Sequence, residues 1–269
     1  MFWETLTVDE FAQAREKCGG VCVVPIGCLE KHGNHLPLGT DILSAREVAT
    51  RAAEQEEVMI FPFLPFGGVC EVKHCLGTVA LSMKLLLQML EELCDELSRN
   101  GFKKILFLNG HGGNAPLLNA FIRSRLERPH DYAVYTANYF QLTNEQRAEF
   151  EKLNGEPIRI EGHACIYETS TVMAFAPELV KMEALSDNGK PLHRLDEFID
   201  LDIGSSVGWY ADYPHQFAGE PEHSTPEKGA YLMECYVERT RKIFRAVKNT
   251  DLPDELVREF YEKTADPTA

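Results

Sequence analysis

The chain has 269 residues, with 27 Lys and Arg against 42 Asp and Glu, a formal net charge of −15. So acidic a chain lacks the basic patch that counterion release requires, which argues against nucleic acid and anionic membranes as partners. Apolar residues make up 44%, enough for a sizeable core, and a single domain over 1–269 is expected.

In chain order, short apolar runs alternate with longer amphipathic ones. The N-terminus, Met1 to Thr5, has no basic stretch followed by an apolar one, so no signal peptide is expected. Residues 21–26 form an apolar run that reads as a buried strand, residues 41–54 as a helix and 58–61 as a second strand. Ser82 can cap a helix whose apolar face is Leu85, Leu86, Met89, Leu90, Leu93 and Leu97. A third strand follows at 104–108, a helix at 115–127 with Pro116 in its first turn, and a fourth strand at 132–135. Helices are expected at 141–152, 168–180 and 226–247. The stretch 187–226, rich in Pro, Gly, His and Asp, is expected to be loop. This rhythm predicts an α/β fold of three layers, a mainly parallel central sheet flanked by helices. The polar, glycine-rich segments after Ile26, Phe63 and Leu108 should then meet on one sheet edge. Eight cysteines include no Cys-x-x-Cys pair. Reduced thiols and a cytoplasmic location are expected, most of the cysteines acting as small buried hydrophobes.

Three segments carry chemistry. The first runs from Gly27 to Asp41 and holds Glu30, His32, His35 and Asp41. Glu30 and His32 share a face in extended chain, and Asp41 has two carboxylate oxygens that could bridge two cations. Alone, Asp41 reads as a helix cap and His32 as a turn residue. Together, imidazole and carboxylates at a strand end suit Zn, Mn or Fe(II). The second segment, Asn109-Gly110-His111-Gly112-Gly113-Asn114, surrounds a histidine with glycines that leave its ring unobstructed. It lacks the Lys and Ser/Thr of a phosphate loop. The third runs from Glu161 to Ser170 and holds His163 and Glu168. His163 suits acid–base work near neutral pH. A carboxylate at Glu168 is also what a helix N-terminus favours.

These segments resemble the creatininase (creatinine amidohydrolase) family. Its Gly-x-x-Glu-x-His-Gly-x-His-Leu-Pro-x-x-x-Asp loop is met at 27–41, its Asn-Gly-His-Gly-Gly-Asn at 109–114 and its His-Ala-x-x-x-Glu-Thr-Ser at 163–170. A late Gly-x-Pro and Thr-x-Glu-Lys-Gly segment is met within 219–229. The resemblance covers roughly residues 15–245. It implies a metal-dependent amidohydrolase with two divalent metal ions per subunit (Zn, Mn or Fe), acting on a small-molecule amide, cyclic amide or formamide, and a homo-oligomer, usually a hexamer. By position, Glu30, Asp41 and His111 would hold one metal, and His32 and Asp41 the second, with Glu168 a further ligand or neighbour. His163 would pass a proton to the leaving nitrogen. Within the family, a deformylase-like or peptide-trimming activity is the alternative. Outside it, the alternative is a non-catalytic metal- or ligand-binding protein.

The chain departs from creatininase itself at four places. Gly112 and Gly113 stand where creatininase has Tyr-Glu, and Arg159 and Ile160 where it has Trp-Asp, so creatinine is not the expected substrate. Val72 stands where the family's middle loop has histidine, with His74 two residues on as a substitute or a surface residue. Cys28 and Lys31 replace residues such as Ser and Gln. Lys31 and Arg159 could favour an anionic substrate group, and Phe2, Trp3 and Tyr210 could be pocket wall or packing.

Overall fold

A computed structural model of the protein describes residues 1–186 and 189–266. Four parallel strands, β1 (Val21–Ile26), β2 (Met59–Ile60), β3 (Lys104–Asn109) and β4 (Ala133–Asn138), lie in the order β2-β1-β3-β4. Successive side chains of a strand point to opposite faces, and the core divides accordingly. Val21 and Val23 of β1, with Leu106 and Leu108 of β3, face one layer, while Cys22, Val24, Ile26, Ile105 and Phe107 face the other. On the first face lie α2 (Thr40–Ala53) and α9 (Pro226–Lys248), with Ala45, Val48, Ala49, Leu232, Tyr236 and Phe244 buried between. The second face is covered by α1 (Val8–Lys17), α3 (Met83–Arg99) and α4 (Ala115–Ser124), through Ala14, Leu86, Leu90, Leu97, Leu117 and Phe121. The expected three-layer parallel architecture is therefore the observed one.

Side-chain caps set several helix starts. Ser82 Oγ accepts from Leu85 N at 3.3 Å, as its sequence position predicts, and Thr225 Oγ1 accepts from Lys228 N at 3.2 Å just before Pro226. Thr7 with Glu10, and Thr143 with Gln146, form reciprocal capping boxes. The second of these places α5 (Asn144–Asn154) three residues later than expected. Further on, α6 (Ile166–Phe175) stops short of the expected 180, and a separate short turn follows at Pro177–Leu179.

Of the stretch expected to be loop, residues 187 and 188 lie outside the described residues. The remainder contains two one-turn helices, α7 (Asp196–Asp200) and α8 (Gly208–Asp212). It returns to the body through an antiparallel bridge between His163 and Ala218 and a bond from Gly33 N to Gln216 O at 2.7 Å. The last helix, α10 (Leu252–Ala265), and α1 have no counterpart in the sequence expectations. Trp3, partly buried, packs against Phe11, Phe61 and Phe102 at the edge of the core, which makes it a packing residue and not a pocket wall. All eight cysteines are free thiols. Among the described residues, no helix is long and apolar enough to cross a membrane.

Helices α6 and α9 pack closely at Gly229. A Cβ on Gly229 would stand 1.8 Å from the Ser170 carbonyl oxygen, so Gly229→Ala must push the two helices apart. Overpacking at such a site costs about 3 kcal/mol, expected as a fall in melting temperature of roughly 6–12 °C in a chain this size. Thermal denaturation followed by circular dichroism measures it. An unchanged midpoint would show that the helices separate without loss.

Candidate metal centre

The site forms where the sheet's connections diverge. The chain leaves β1 into α2 on one face and leaves β3 into α4 on the other, so the loops after these neighbouring strands open a crevice at their C-terminal ends. Register pairs Ile26 with Asn109, the last residues of both strands, which puts Gly27 and Gly110 side by side. Any Cβ on Gly27 would meet Asp41 Cβ at 2.8 Å, and one on Gly110 would meet Asp41 O at 2.7 Å. Bare backbone at both positions is what lets the start of α2, and Asp41 with it, sit against the sheet edge.

Asp41 lies between two imidazoles. Its Oδ1 is 3.1 Å from His32 Nε2 and its Oδ2 is 3.1 Å from His111 Nδ1. Glu30 Oε1 is 2.8 Å from the same His111 nitrogen. All four side chains are buried. The far nitrogen of each ring is committed to a backbone carbonyl: His32 Nδ1 to Glu30 O at 3.3 Å, and His111 Nε2 to Gly68 O at 3.2 Å. Those bonds fix the tautomers, so in the neutral rings the lone pairs of His32 Nε2 and His111 Nδ1 face the carboxylates. The Asn-Gly-His motif holds its histidine in place by the same kind of bonding. Asn109 Oδ1 accepts from His111 N at 3.1 Å and from Asn114 Nδ2 at 3.0 Å, and Asn114 Oδ1 accepts from Gly68 N at 2.7 Å.

Lone pairs facing carboxylate oxygens repel unless a cation or a proton lies between them. Two oxygens nearest His111 Nδ1, Glu30 Oε1 and Asp41 Oδ2, are buried and make no hydrogen bond. This is the donor set of a borderline metal, with second-partner bonds that orient ligating imidazoles. The residues present therefore fit divalent cations. Without them, protons take that place. Burial opposes charge on His32, but Asp41, Glu168 and Glu30 outweigh it and raise the imidazole to about 9. His111 is likewise raised well above its ordinary value by Glu30 and Asp41 against the cost of burial. For Asp41 burial works the other way, and the two imidazoles overcome it to hold its carboxyl low.

Cation binding must therefore displace protons from the apoprotein. Zinc or manganese added at pH 7 is expected to release about two protons per chain from His32 and His111, with apparent affinity climbing as pH rises towards 9. The His32–Asp41 attraction stabilises the apoprotein fully below the imidazole's ordinary 6.5 and is lost as pH rises through about 9. Calorimetry in buffers of different ionisation enthalpy measures the release; binding without proton release at pH 7 would contradict the arrangement.

Glu168, in the first turn of α6, is brought to the same place. It lies with His32 and Asp41 in a group whose donor atoms are all within 4.8 Å of one another, while its Oε2 also accepts from Ala164 N. Burial raises its carboxyl. His163 stacks on His32 with ring centroids 4.0 Å apart, and its Nε2 donates to Lys31 O at 2.7 Å. Burial and the neighbouring His32 lower it to about 4, so it is neutral at pH 7. It also lies within ligand reach of Glu30 and His32. All six residues singled out in the sequence thus come together.

A cavity of about 430 Å³ opens beside Glu168, walled by Ser44, Tyr139, Phe140, Arg147, Glu161 and Tyr167 among others. Arg147 pairs with Glu161 there. Arg159, expected from the sequence to favour an anionic substrate group, lines a different cavity with Lys190 and His223. Arg147, on α5, was missed because no motif surrounds it. His74 is exposed, donates to Pro214 O at 2.7 Å and packs on Tyr210, so it does not replace the middle-loop histidine. His35 is a strut: its Nε2 reaches Ala164 O at 3.2 Å and Thr169 Oγ1 at 3.1 Å, tying the first segment to the third.

The family described as creatininase, creatinine amidohydrolase, matches residues 4–244. A mycofactocin precursor peptide peptidase of Mycobacterium ulcerans is 30% identical over 245 residues, covering 87% of this chain and 88% of that one. The creatinine amidohydrolase of Pseudomonas putida is 28% identical over 203 residues, 70% of this chain and 76% of the other. Among solved structures, a creatinine amidohydrolase candidate from Bacteroides fragilis superposes with a TM-score of 0.75 at 27% identity, covering 87% of this chain and 91% of that one.

Proposed function

The chain belongs to the creatininase family, and from that premise we propose that it is a metal-dependent hydrolase that cleaves the C–N bond of a small amide or cyclic amide with an activated water. The observation that carries this reading is the pair of imidazole nitrogens, His32 Nε2 and His111 Nδ1, each 3.1 Å from a different oxygen of Asp41. Glu30, Asp41 and His111 are the proposed holders of one divalent cation, and His32, Asp41 and Glu168 of a second. Bound there, zinc, manganese or iron supplies Lewis acidity to a carbonyl and lowers the pKa of a water.

The chain's own groups do the rest. Asp41 spans both positions with its two oxygens. The carbonyls of Glu30 and Gly68 hold the imidazoles in the ligating tautomer. Ala164 N fixes one oxygen of Glu168 and leaves the other to face the cavity or the cation. His163 enters neutral: with Nε2 donating to Lys31 O, its Nδ1 lone pair is the proton acceptor, and the imidazolium so formed can return the proton to the leaving nitrogen. Tyr139, Phe140 and Tyr167 give the cavity an aromatic wall, and the Arg147–Glu161 pair gives it a charged one.

A second reading, trimming of a peptide end, is favoured by the 87% coverage of this chain in its similarity to the Mycobacterium ulcerans peptidase. A panel of lactams, formamides, small amides and short peptides, assayed with chelated and metal-restored protein, separates the two. Hydrolysis of small amides that vanishes on chelation and returns with metal is the expected result. Cleavage confined to peptides selects the second reading, and full turnover after chelation overturns both.

A further inference from the structure

We propose that Cys28 is a thiolate ligand completing the cation position of Glu30, Asp41 and His111, and that it biases this position towards zinc or cobalt over manganese. The inference rests on the metal reading above and adds a sulfur donor to it.

Cys28 lies two residues beyond the end of β1 and two before Glu30, fully buried. Its Sγ, an Asp41 carboxylate oxygen and a His111 ring nitrogen all lie within 4.8 Å of one another. Ligand atoms around a tetrahedral zinc are about 3.5 Å apart, so small side-chain movements bring the three into bonding range. Two independent features point into the same space. Glu30 Oε1 and Asp41 Oδ2, 1% and 2% exposed as residues, are buried oxygens with no hydrogen bond. The sulfur thus joins a carboxylate oxygen and an imidazole nitrogen, and Glu30 reaches the same imidazole, its Oε1 2.8 Å from His111 Nδ1. Were Cys28 merely a small hydrophobe, its contacts with Val69 and Val72 would account for it. That role does not require the sulfur to lie within 4.8 Å of both an Asp41 carboxylate oxygen and a His111 ring nitrogen. On binding, the thiol proton leaves to solvent and the sulfur bonds as thiolate. Thiolate is a soft donor that zinc and cobalt accept readily, whereas manganese prefers oxygen.

The test uses cobalt(II) as the probe on the intact apoprotein. The wild type should show visible d–d bands and, with them, a near-ultraviolet sulfur-to-cobalt charge-transfer band. Cys28→Ser should keep the visible bands and lose the charge-transfer band. Its zinc affinity should fall by about 10- to 100-fold, the size of effect typical of changes around a metal site, with manganese affinity changed far less. Visible bands without a charge-transfer band in the wild type, or a band that survives Cys28→Ser, overturns the inference while leaving the metal reading intact. An absence of visible bands overturns the metal reading and this one with it. If Cys28→Ser fails to fold, X-ray absorption at the zinc edge of the wild type decides alone: a sulfur neighbour at about 2.3 Å supports the thiolate, and a shell of nitrogen and oxygen only overturns it.

Discussion

Asp41→Ala is expected to leave a folded protein that retains less than half the wild-type metal and turns substrate over at least about 1,000-fold more slowly. The size follows from what the residue does. Lewis-acid assistance is worth several kcal/mol, and each 1.4 kcal/mol is a factor of ten. The two oxygens of Asp41 face two imidazoles, at 3.1 Å each, so its loss removes a donor from both proposed positions. Fold should survive because the helix it opens is anchored elsewhere, by Ala45, Val48, Ala49 and Ala52 against the sheet. Elemental analysis of the purified variant, circular dichroism and turnover on the amide panel give the three readouts together. A variant with full metal and full rate would remove the bridging role and with it the metal hydrolase reading.

His163→Ala is expected to lower kcat by about 100- to 10,000-fold, the usual contribution of a positioned proton carrier, with metal content unchanged. The ring is neutral, lowered to about 4 by burial and by His32, and its stacking on His32 at 4.0 Å sets it next to the proposed cation position. Because it also lies within ligand reach of Glu30 and His32, metal content separates two roles. Loss of rate with retained metal assigns proton transfer. Loss of both assigns a ligand. Retention of both would leave His163 a structural residue, bonded to Lys31 O and bridged to Ala218 for the sake of the loop alone.

The candidate site was legible to an unusual degree because its residues lie in three short, ordered segments, two at strand ends and one leading into α6. Glu30, His32, Asp41, His111, His163 and Glu168 could each be pointed to in the sequence, and the structure gathers all of them. What escaped was whatever belongs to no segment. Arg147 sits in an ordinary polar helix, and only the packing of α5 across the crevice makes it a wall of the Glu168 cavity. Arg159, twelve residues on, carries the same charge, but the chain has turned by then and it lines another cavity. His74 has the chemistry of the absent middle-loop histidine, yet its loop turns it outward onto Pro214 and Tyr210.

By itself the sequence determined the four strands and the helices that cover the sheet, α1 excepted, because the apolar runs of β1 and β3, helical spacing in α3 and side-chain caps such as Ser82 are local properties. It also pointed to the meeting of the first two segments, since parallel strands deliver the loops at their ends to one edge. Only the tertiary structure decided what those donors can do. The tautomers of the rings depend on partners from other segments, Gly68 O lying 43 residues from His111 and Lys31 O lying 132 residues from His163. The protonation of His32 and His111, the neutrality of His163 and the reach of Cys28 all follow from burial and from charges brought close by folding. No pattern along the chain encodes these, because electrostatic energy is set by distance in space and by the removal of water.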